Sequence, residues 1–281
     1  MTRTMIRLAS GVGFAVHDLR IVEHTRSWSE SEGVPGYRVV FVRRGLFRLN
    51  YRGWDGLVDP LMAYVRLPGD EQRIAHRPEI EDLCTVLTLD EALATEVMHQ
   101  PPPIRPLITN GRIDLAQRSV VARARQDADG FELAERVTRL AEELFRLTDE
   151  SPTVRGSSAP SHRRLAESAR EVLTTNPAWP TFEGLAHELG ISRSHLSRVF
   201  RAETGESLTK FRSRLRVRAA LDSIEAGDIN LARLAAELGF ADHAHLTRTM
   251  RAELGSPPSR VRAMLNPRQL RSHTFKHSSH A

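Results

Sequence analysis

The chain has 281 residues, of which 40% are hydrophobic and 27% charged, so it is long enough for two domains with apolar cores. Its formal net charge at pH 7 is +5, and its single cysteine, Cys84, excludes an intramolecular disulfide. The apolar residues 8–16 are too few, and too often interrupted by Ser and Gly, for a signal peptide or a membrane span. We therefore expect a cytoplasmic protein without a membrane partner.

The charge is unevenly distributed along the chain. Residues 1–160 contain 21 Arg and no Lys against 23 acidic residues, a net charge of −2, whereas residues 161–281 contain 19 Arg and Lys against 12 acidic residues, a net charge of +7. Because Arg and Lys neutralise phosphates, the C-terminal half has the charge balance of a nucleic-acid-binding domain. Residues 151–160, which are rich in Ser, Pro and Gly, are predicted to be a linker between the halves.

The first half of the chain predicts short β-strands separated by turns. Four segments carry the pattern: residues 37–42, 46–52, 61–67 and 84–89. Arg44-Gly45 and Pro68-Gly69-Asp70 are the predicted turns between them. Several short strands with turns of this kind indicate a small barrel or sandwich.

Aromatic and histidine residues in this region are candidates for a small-molecule pocket. They are Tyr37, Phe47, Tyr51, Trp54 and His76. Each of them could equally be an ordinary core or rim residue. A metal site would need at least three ligands on facing strands, whereas His24 and His76 are separate and form no His-x-His pair. We therefore expect no metal, no cofactor and no catalytic residue.

Two helical segments are predicted after the three prolines at 101–103. The second, residues 131–147, carries one apolar stripe: Leu133, Ala134, Val137, Leu140, Ala141, Leu144 and Phe145. A stripe of this kind must be buried. Packing on the protein's own barrel and pairing with a second subunit, which would make a homodimer, both satisfy that requirement.

The second half of the chain contains one unit twice. Leu-Ala-x-Glu-Leu-Gly at residues 185–190 recurs 49 residues later, and His-Leu-x-Arg at residues 195–198 recurs 50 residues later. The change of offset places one additional residue between the two helices of the second unit, where a loop accommodates an insertion most easily.

Each unit has the pattern of a helix-turn-helix. A short apolar helix is predicted to end at Gly190 or Gly239, because glycine adopts the left-handed conformation that terminates a helix. The second helix is predicted to begin at Ser192 or Asp242, whose side-chain oxygens can cap free backbone N–H groups.

A long helix is predicted between the two units. Residues 207–226, closed by Gly227, would form a rod about 30 Å long at 1.5 Å per residue. Such a rod can place two recognition helices in successive major grooves of DNA. Its basic residues are candidates for phosphate contacts or plain surface: Lys210, Arg212, Arg214, Arg216 and Arg218.

The second helix of each unit has an outward face at helical spacing. The positions on these faces are Arg193, Ser194, Ser197, Arg198 and Arg201 in the first unit, and His243, Ala244, Thr247, Arg248 and Arg251 in the second. Arginine binds guanine or phosphate with two donors, and Ser, Thr and His make short hydrogen bonds. A solvated face would look the same in one unit alone, but the repeat puts Arg198 and Arg248 at equivalent points and favours DNA contacts.

The tandem unit resembles the DNA-binding domain of the AraC/XylS family of bacterial transcription regulators over residues 161–265. Gly239-Phe240, Gly255-Ser256-Pro257 and Leu246 with Arg248 are the most recognisable pieces. Three positions depart from the family pattern: Met250, Pro258 and Val261. The region of short strands is similar to the cupin-type sensor domain of the same family.

The resemblance implies an α+β protein. Residues 1–150 would form a cupin-like β-barrel with following helices, which senses an effector or mediates dimerisation. Residues 151–160 would be the linker, and residues 161–266 an all-α DNA-binding domain with two helix-turn-helix units joined by a long helix. Residues 267–281 would be a disordered tail. Because the repeat has its own apolar pattern, a fragment beginning at residue 161 is expected to fold and to bind DNA alone.

The same resemblance implies a sequence-specific regulator of transcription. Its partners would be double-stranded DNA, RNA polymerase and a small-molecule effector in the N-terminal domain. A regulator that has no ligand and is controlled by a protein partner is one alternative, and a cupin-type enzyme is another. The sequence does not decide between activation and repression.

The basic half of the chain predicts DNA binding that depends steeply on salt. If about six phosphates are neutralised, affinity for double-stranded DNA should fall on the order of 10³-fold between about 50 and 200 mM salt, because bound counterions are released. A fluorescence-anisotropy titration at several salt concentrations measures this slope. An affinity that does not change with salt would contradict a DNA-binding role.

Overall fold

Two antiparallel sheets form the N-terminal part of the structure, a computed structural model that describes residues 2–126, 129–150, 159–176, 181–227 and 230–266. The strands are β1 (Thr2–Gly11), β2 (Phe14–Val22), β3 (Glu32–Gly33), β4 (Tyr37–Arg44), β5 (Phe47–Tyr51), β6 (Trp54–Val58), β7 (Met62–Arg66), β8 (Glu71–His76), β9 (Glu81–Leu89) and β10 (Leu107–Ile108). One sheet has the order β1-β2-β9-β4-β7-β10 and the other the order β3-β8-β5-β6. The four predicted strand segments correspond to β4, β5, β7 and β9.

Apart from its edge strand β1, the six-stranded sheet is largely buried on both faces, because its side chains alternate between two cores. On one face, residues such as Val40 and Val86 pack against Leu49 of the four-stranded sheet. On the other face, residues such as Val39 and Leu87 pack against helices. Most of these strands therefore lack the alternation of apolar and polar side chains that a sheet with one solvent-facing side would show.

Three helices cover this second face: α1 (Glu91–Val97), α2 (Gly111–Ala124) and α3 (Gly130–Glu150). We call these helices and the ten strands the sheet region. The apolar stripe of α3 lies in this core, where Val137, Ala141 and Leu144 are fully buried. Packing on the protein's own sheet is confirmed for the stripe, and pairing of two subunits through it is wrong.

Seven helices form the C-terminal part of the described chain, which we call the helical region. They are α4 (Pro160–Thr175), α5 (Phe182–Glu188), α6 (Arg193–Thr204), α7 (Leu208–Glu225), α8 (Leu231–Glu237), α9 (His243–Leu254) and α10 (Pro258–Leu265). Together with the sheet region they confirm the α+β class. None of the described helices combines the length and the apolar character needed to cross a membrane.

The local signals of the repeat are confirmed. Gly190 and Gly239 have φ values of +68° and +69°, and the side chains of Ser192 and Asp242 cap α6 and α9. The loop from α5 to α6 spans residues 189–192 and the loop from α8 to α9 spans residues 238–242, so the additional residue lies in the second loop. The predicted linker segment 151–158 and the tail 267–281 lie outside the described residues.

The sheet region contributes to both cores of the helical region. Leu61 packs with Leu196 and Phe200 of the first unit, and Leu115 of α2 packs in the core of the second. At Gly111, a Cβ atom would lie 2.5 Å from the carbonyl oxygen of Glu253, so glycine alone permits this close approach of α2 to α9. A fragment beginning at residue 161 would lack these contacts, and its independent folding stays a prediction.

Two arginines of α7 bind the sheet region and not DNA. Arg218 Nε donates to the carbonyl oxygen of Pro60 at 3.0 Å and its Nη2 to Thr109 Oγ1 at 3.2 Å. Arg214 donates to the carbonyl oxygen of Thr109 and, at 2.7 Å, to Glu206. Both side chains are buried, and burial lowers the pKa of Arg218 to about 10. They are therefore unavailable as phosphate contacts, which corrects the expectation for these two positions.

The other basic residues of α7 are placed differently. The guanidinium of Arg212 lies 4.0 Å from the ring centroid of Phe182, and Arg216 Nη1 donates to the carbonyl oxygen of Gly239 at 3.0 Å. Lys210 is exposed near the start of the helix. Of the five basic residues, Lys210 is thus the one with the freest access to a phosphate.

An ion-pair cluster joins the end of α7 to α2. Arg118 Nη1 lies 2.6 Å from Asp222 Oδ1 and 3.0 Å from Glu225 Oε2, and Arg125 Nη1 lies 3.1 Å from Glu225 Oε1. The Arg118 side chain is only 1% exposed. Burial alone would lower its pKa, but Asp114, Asp222 and Glu225 outweigh that effect and raise it. The pairing keeps a buried charge ionised at the junction of the two regions.

Glu225→Gln tests the energetic weight of this cluster. The substitution should lower the free energy of unfolding by about 2 kcal/mol, because it leaves three arginines, including the buried Arg43, with less compensating charge while Asp222 still faces Arg118. Glu237→Gln is the matched control, since Glu237 makes an exposed i,i+4 pair with Arg233 and should cost no more than about 0.5 kcal/mol. Urea unfolding of both variants measures the difference. Equal losses would contradict a structural role for the cluster.

Candidate nucleic-acid interface and ligand cavity

Helix α6 separates an apolar face from an exposed polar face. Leu196, Val199 and Phe200 are buried in the first unit. All five residues predicted for the outward face are exposed: Arg193, Ser194, Ser197, Arg198 and Arg201. The face can therefore approach a DNA groove without rearrangement of the core beneath it.

Helix α9 repeats this arrangement with a less prominent polar face. Leu246, Met250 and Leu254 are buried. Of the predicted outward positions, His243, Arg248 and Arg251 are exposed, while Ala244 and Thr247 are half-buried. The second unit thus presents two guanidinium groups and an imidazole where the first presents three guanidinium groups and two hydroxyls.

The equivalent histidines of the two units make different hydrogen bonds. His195 Nδ1 lies 3.1 Å from Arg198 Nη2 and can accept from it, so the imidazole orients that guanidinium. His245 Nδ1 instead accepts from the backbone N–H of Ala241 at 3.4 Å. Among the described residues, Arg248 has no histidine partner equivalent to His195. The sequence pattern marks both histidines through the repeat but does not indicate this positioning role.

Neighbouring acids also differ between the two faces. Arg193 forms an exposed ion pair with Glu183 of α5, so part of its charge is already compensated. On α9, the N–H of His245 and the nearby charge of Arg248 hold the pKa of Asp242 below its usual range. Asp242 is therefore ionised at neutral pH and remains a cap for the helix.

Two of the five predicted pocket residues lie together. The rings of Phe47 and His76 are 5.4 Å apart between their centroids. They line a cavity of about 60 Å³ between the two sheets, and also a groove of about 360 Å³ that extends to Arg164 and Ser168 of α4. His76 is further held by Asp82, whose Oδ2 lies 2.5 Å from His76 Nδ1. These two residues therefore separate an inner cavity from a groove at the helical region.

The other three predicted pocket residues do not line either space. Tyr51 is a core residue whose hydroxyl bonds to the carbonyl oxygen of Val65 and to Asp70, and burial raises its pKa to about 12. Tyr37 packs on the opposite, helix-covered face of the six-stranded sheet. Trp54 packs at the margin of the inter-sheet core. The prediction that these five residues form one pocket is therefore wrong. They lie on different strands, and side chains at alternate positions of a strand point to opposite faces of the sheet.

The other candidate reactive groups of the sheet region, Cys84 and His24, lie apart from each other, one in the core and one at the surface. Burial raises the pKa of Cys84 to about 12, so its thiol is un-ionised at neutral pH. His24 lies at the surface, with its Nδ1 2.9 Å from Glu79. In the part of the chain that the structure describes, no three His, Cys, Asp or Glu side chains gather closely enough to hold a metal ion.

The helical region has the two-unit architecture of a tandem helix-turn-helix protein, and sequence comparison agrees. The sequence model of a family described as "Helix-turn-helix domain" matches residues 185–264. Residues 185–264 are an AraC-type helix-turn-helix domain. The match spans both helix-turn-helix units of the helical region.

Curated relatives share this part of the chain. The HTH-type transcriptional regulator RipA of Corynebacterium glutamicum is 36% identical over 122 residues, which are 43% of this chain and 35% of RipA. An uncharacterized HTH-type transcriptional regulator of Bacillus subtilis, YfiF, is 32% identical over 80 residues, 28% of this chain and 25% of YfiF. The matched segments thus span about a third or less of the length of these relatives.

A solved structure, ToxT from Vibrio cholerae O395, aligns with 91% of this chain and 99% of its own chain. The two are 11% identical with a TM-score of 0.38.

Substitution of the equivalent arginines tests the interface. Arg198→Ala and Arg248→Ala should each weaken operator binding by about 1 to 3 kcal/mol, with the larger loss at Arg198 because His195 already orients it. The melting temperature should stay unchanged, since both side chains are exposed. Arg139→Ala removes one exposed positive charge from α3 and is the control for general charge loss. Band-shift titrations measure the affinities, and equal binding by all three variants would support a merely solvated face.

Proposed function

We propose that the protein is a sequence-specific DNA-binding regulator of transcription, controlled by a small molecule bound in its sheet region. The observation that carries the proposal is the exposed arginine face on α6 and its counterpart on α9, each built on a buried apolar core. The 18-residue helix α7 joins the two units. At 1.5 Å per residue this rod is about 27 Å long, which suits contacts in successive major grooves on one face of a duplex.

The effector site that the geometry favours is the cavity between the two sheets. Phe47 and His76 form part of its wall and also face the groove beside α4. Across this groove, Arg48 pairs with Glu167 at 3.0 Å and Arg77 with Glu171 at 2.7 Å. A ligand that moves this wall would act on α4, which packs directly against α6. This contact supports an effect of the effector on DNA binding.

Two further partners belong to the proposal through the family likeness. RNA polymerase would be contacted at the promoter, and a second copy of the chain would double the DNA contacts by high effective concentration. A second copy must use a surface other than the α3 stripe, which the sheet covers. The DNA-binding role also supports a cytoplasmic location, and relatives named as transcriptional regulators favour it over a cupin-type enzyme.

Genome-wide mapping of bound DNA tests this function. The full-length protein should enrich a small set of sites that share one sequence motif, because base contacts by both units restrict the choice of site. The double variant Arg198→Ala, Arg248→Ala should lose this enrichment and keep weak, salt-sensitive binding to any duplex. A variant with the same charge loss away from the interface, Arg139→Ala with Arg20→Ala, should keep the motif. Enrichment without any shared motif in the unchanged protein would contradict sequence-specific regulation.

A further inference from the structure

Two arginines lie side by side on the inner face of the inter-sheet cavity. Arg38 of β4 and Arg66 of β7 are directly opposite each other in the antiparallel register. Both point to the same side as Val40 and Tyr64, and all four residues line the cavity. Like charges directly opposite across two strands destabilise a sheet. A negatively charged group between or above the two guanidinium groups would offset this repulsion.

The protein supplies only part of that negative charge. Among the residues that line the cavity, Glu32 is the one carboxylate that faces the arginines, and its Oε2 already accepts from Arg3 at 3.0 Å. Burial would raise the pKa of Glu32, but the hydrogen bond from Arg3 and the charges of Arg66 and Arg38 hold it below its usual value. Three guanidinium groups thus share one ionised carboxylate, and the cavity retains a positive charge.

Three polar atoms of the lining lack hydrogen bonds. Arg38 Nε, Arg66 Nε and Gln72 Oε1 are buried and have no partner within the described part of the chain. Arg66 is 2% exposed and Gln72 is 5% exposed, so bulk water does not satisfy them. Buried polar groups are nearly always hydrogen-bonded in native proteins, and exceptions commonly mark the place of a water, an ion or a ligand. Here two unpaired donors and one unpaired acceptor line the same cavity.

The size of the cavity restricts what can fill it. Its volume is about 60 Å³. Since one water needs roughly 10 to 15 Å³ on this measure, the space corresponds to about four to six water-sized groups. A ligand of that size has about as many heavy atoms, which excludes sugars, nucleotides and long acyl chains as the whole occupant.

We infer that this cavity binds a small hydroxycarboxylate, with its carboxylate against Arg38 and Arg66 and its hydroxyl against Gln72. The inference rests on the proposed function, because it gives the chemical class of the effector at that site. The carboxylate accepts from the two Nε–H groups, and charge-assisted bonds of this kind are the stronger class of hydrogen bond. The hydroxyl donates to Gln72 Oε1. Apolar side chains such as Val40, Ile74 and Val86 line much of the remaining wall, and their low polarity strengthens these bonds.

Three probes of nearly equal size separate these contributions. Glycolate carries both the carboxylate and the hydroxyl, acetate lacks the hydroxyl, and glycolamide lacks the charge. We expect the full-length protein to bind glycolate at least tenfold more tightly than acetate and not to bind glycolamide saturably. Thermal-shift titrations and saturation-transfer NMR at constant ionic strength measure the three affinities.

Variants assign the contacts. Arg38→Gln should weaken glycolate and acetate alike by at least tenfold, because it removes one of the facing charges. Gln72→Leu should reduce the affinity for glycolate to that for acetate and leave acetate unchanged; Gln72→Met serves the same purpose if the leucine variant does not fold. Arg20→Gln is the charge-matched control, since Arg20 is exposed beside Glu81 and does not line the cavity.

Several outcomes would overturn the inference. Equal responses to all three probes would do so, and so would the lack of a saturable response to glycolate. Equal losses of affinity in the Arg38 and Arg20 variants would indicate that anions bind to the basic surface instead of the cavity. Band-shift titrations with a DNA site from the genome-wide mapping test the proposed regulator separately from the proposed ligand class. DNA binding that persists while glycolate fails to bind contradicts the ligand class alone, whereas glycolate binding without any sequence-specific DNA binding supports the cavity and contradicts the regulator.

Discussion

The structure depends on the burial of α7, the central helix of the helical region, against the sheet region. Arg214 and Arg218 donate to backbone carbonyl oxygens of the sheet region, and Arg118 of α2 donates to Asp222 near the end of the same helix. Buried charges of this kind are tolerated only where their hydrogen bonds are satisfied, so the contact has one well-defined geometry. Because α7 also joins the two helix-turn-helix units, the sheet region fixes the rod from which both recognition helices project. On the proposed function, a change in the sheet region would therefore alter DNA binding without altering either recognition helix.

The excess of arginine in the chain serves three physical purposes. Arg43, Arg118 and Arg218 are buried and hold elements together. Arg198 and Arg248 are exposed on the recognition faces, where the guanidinium groups are available to DNA. Arg38 and Arg66 face a cavity between the sheets. Net charge alone does not separate these groups, and the +7 of residues 161–281 overstates the charge available to phosphates because buried arginines of α7 are part of it.

Most of the helical region could be predicted from the sequence because its signals are local. Gly190, Gly239, Ser192 and Asp242 act on the residues beside them, and the repeat supplied a second copy of each signal. The strands were harder to predict. β1 (Thr2–Gly11) is exposed on both faces along most of its length, and β2 (Phe14–Val22) is largely buried on both, so neither shows the alternation of a half-buried strand.

The candidate site could be predicted only in part for a related reason. The outward faces of α6 and α9 follow from helical spacing, whereas the cavity combines residues of eight strands whose register no local pattern determines. Tyr37 and Phe47 resemble each other in sequence context but lie on opposite faces of the sheets. The roles of Arg214 and Arg218 depend on carbonyl groups more than a hundred residues away along the chain.

Hydroxyl-radical footprinting on one bound site tests the central claim most directly, namely that a rod held by the sheet region presents two recognition helices to one face of DNA. The account predicts two protected patches on the same face, separated by about one helical turn, or 10 to 10.5 base pairs. Arg248→Ala should weaken one patch and leave the other. A single protected patch in the unchanged protein, or two patches on opposite faces of the duplex, would contradict the account.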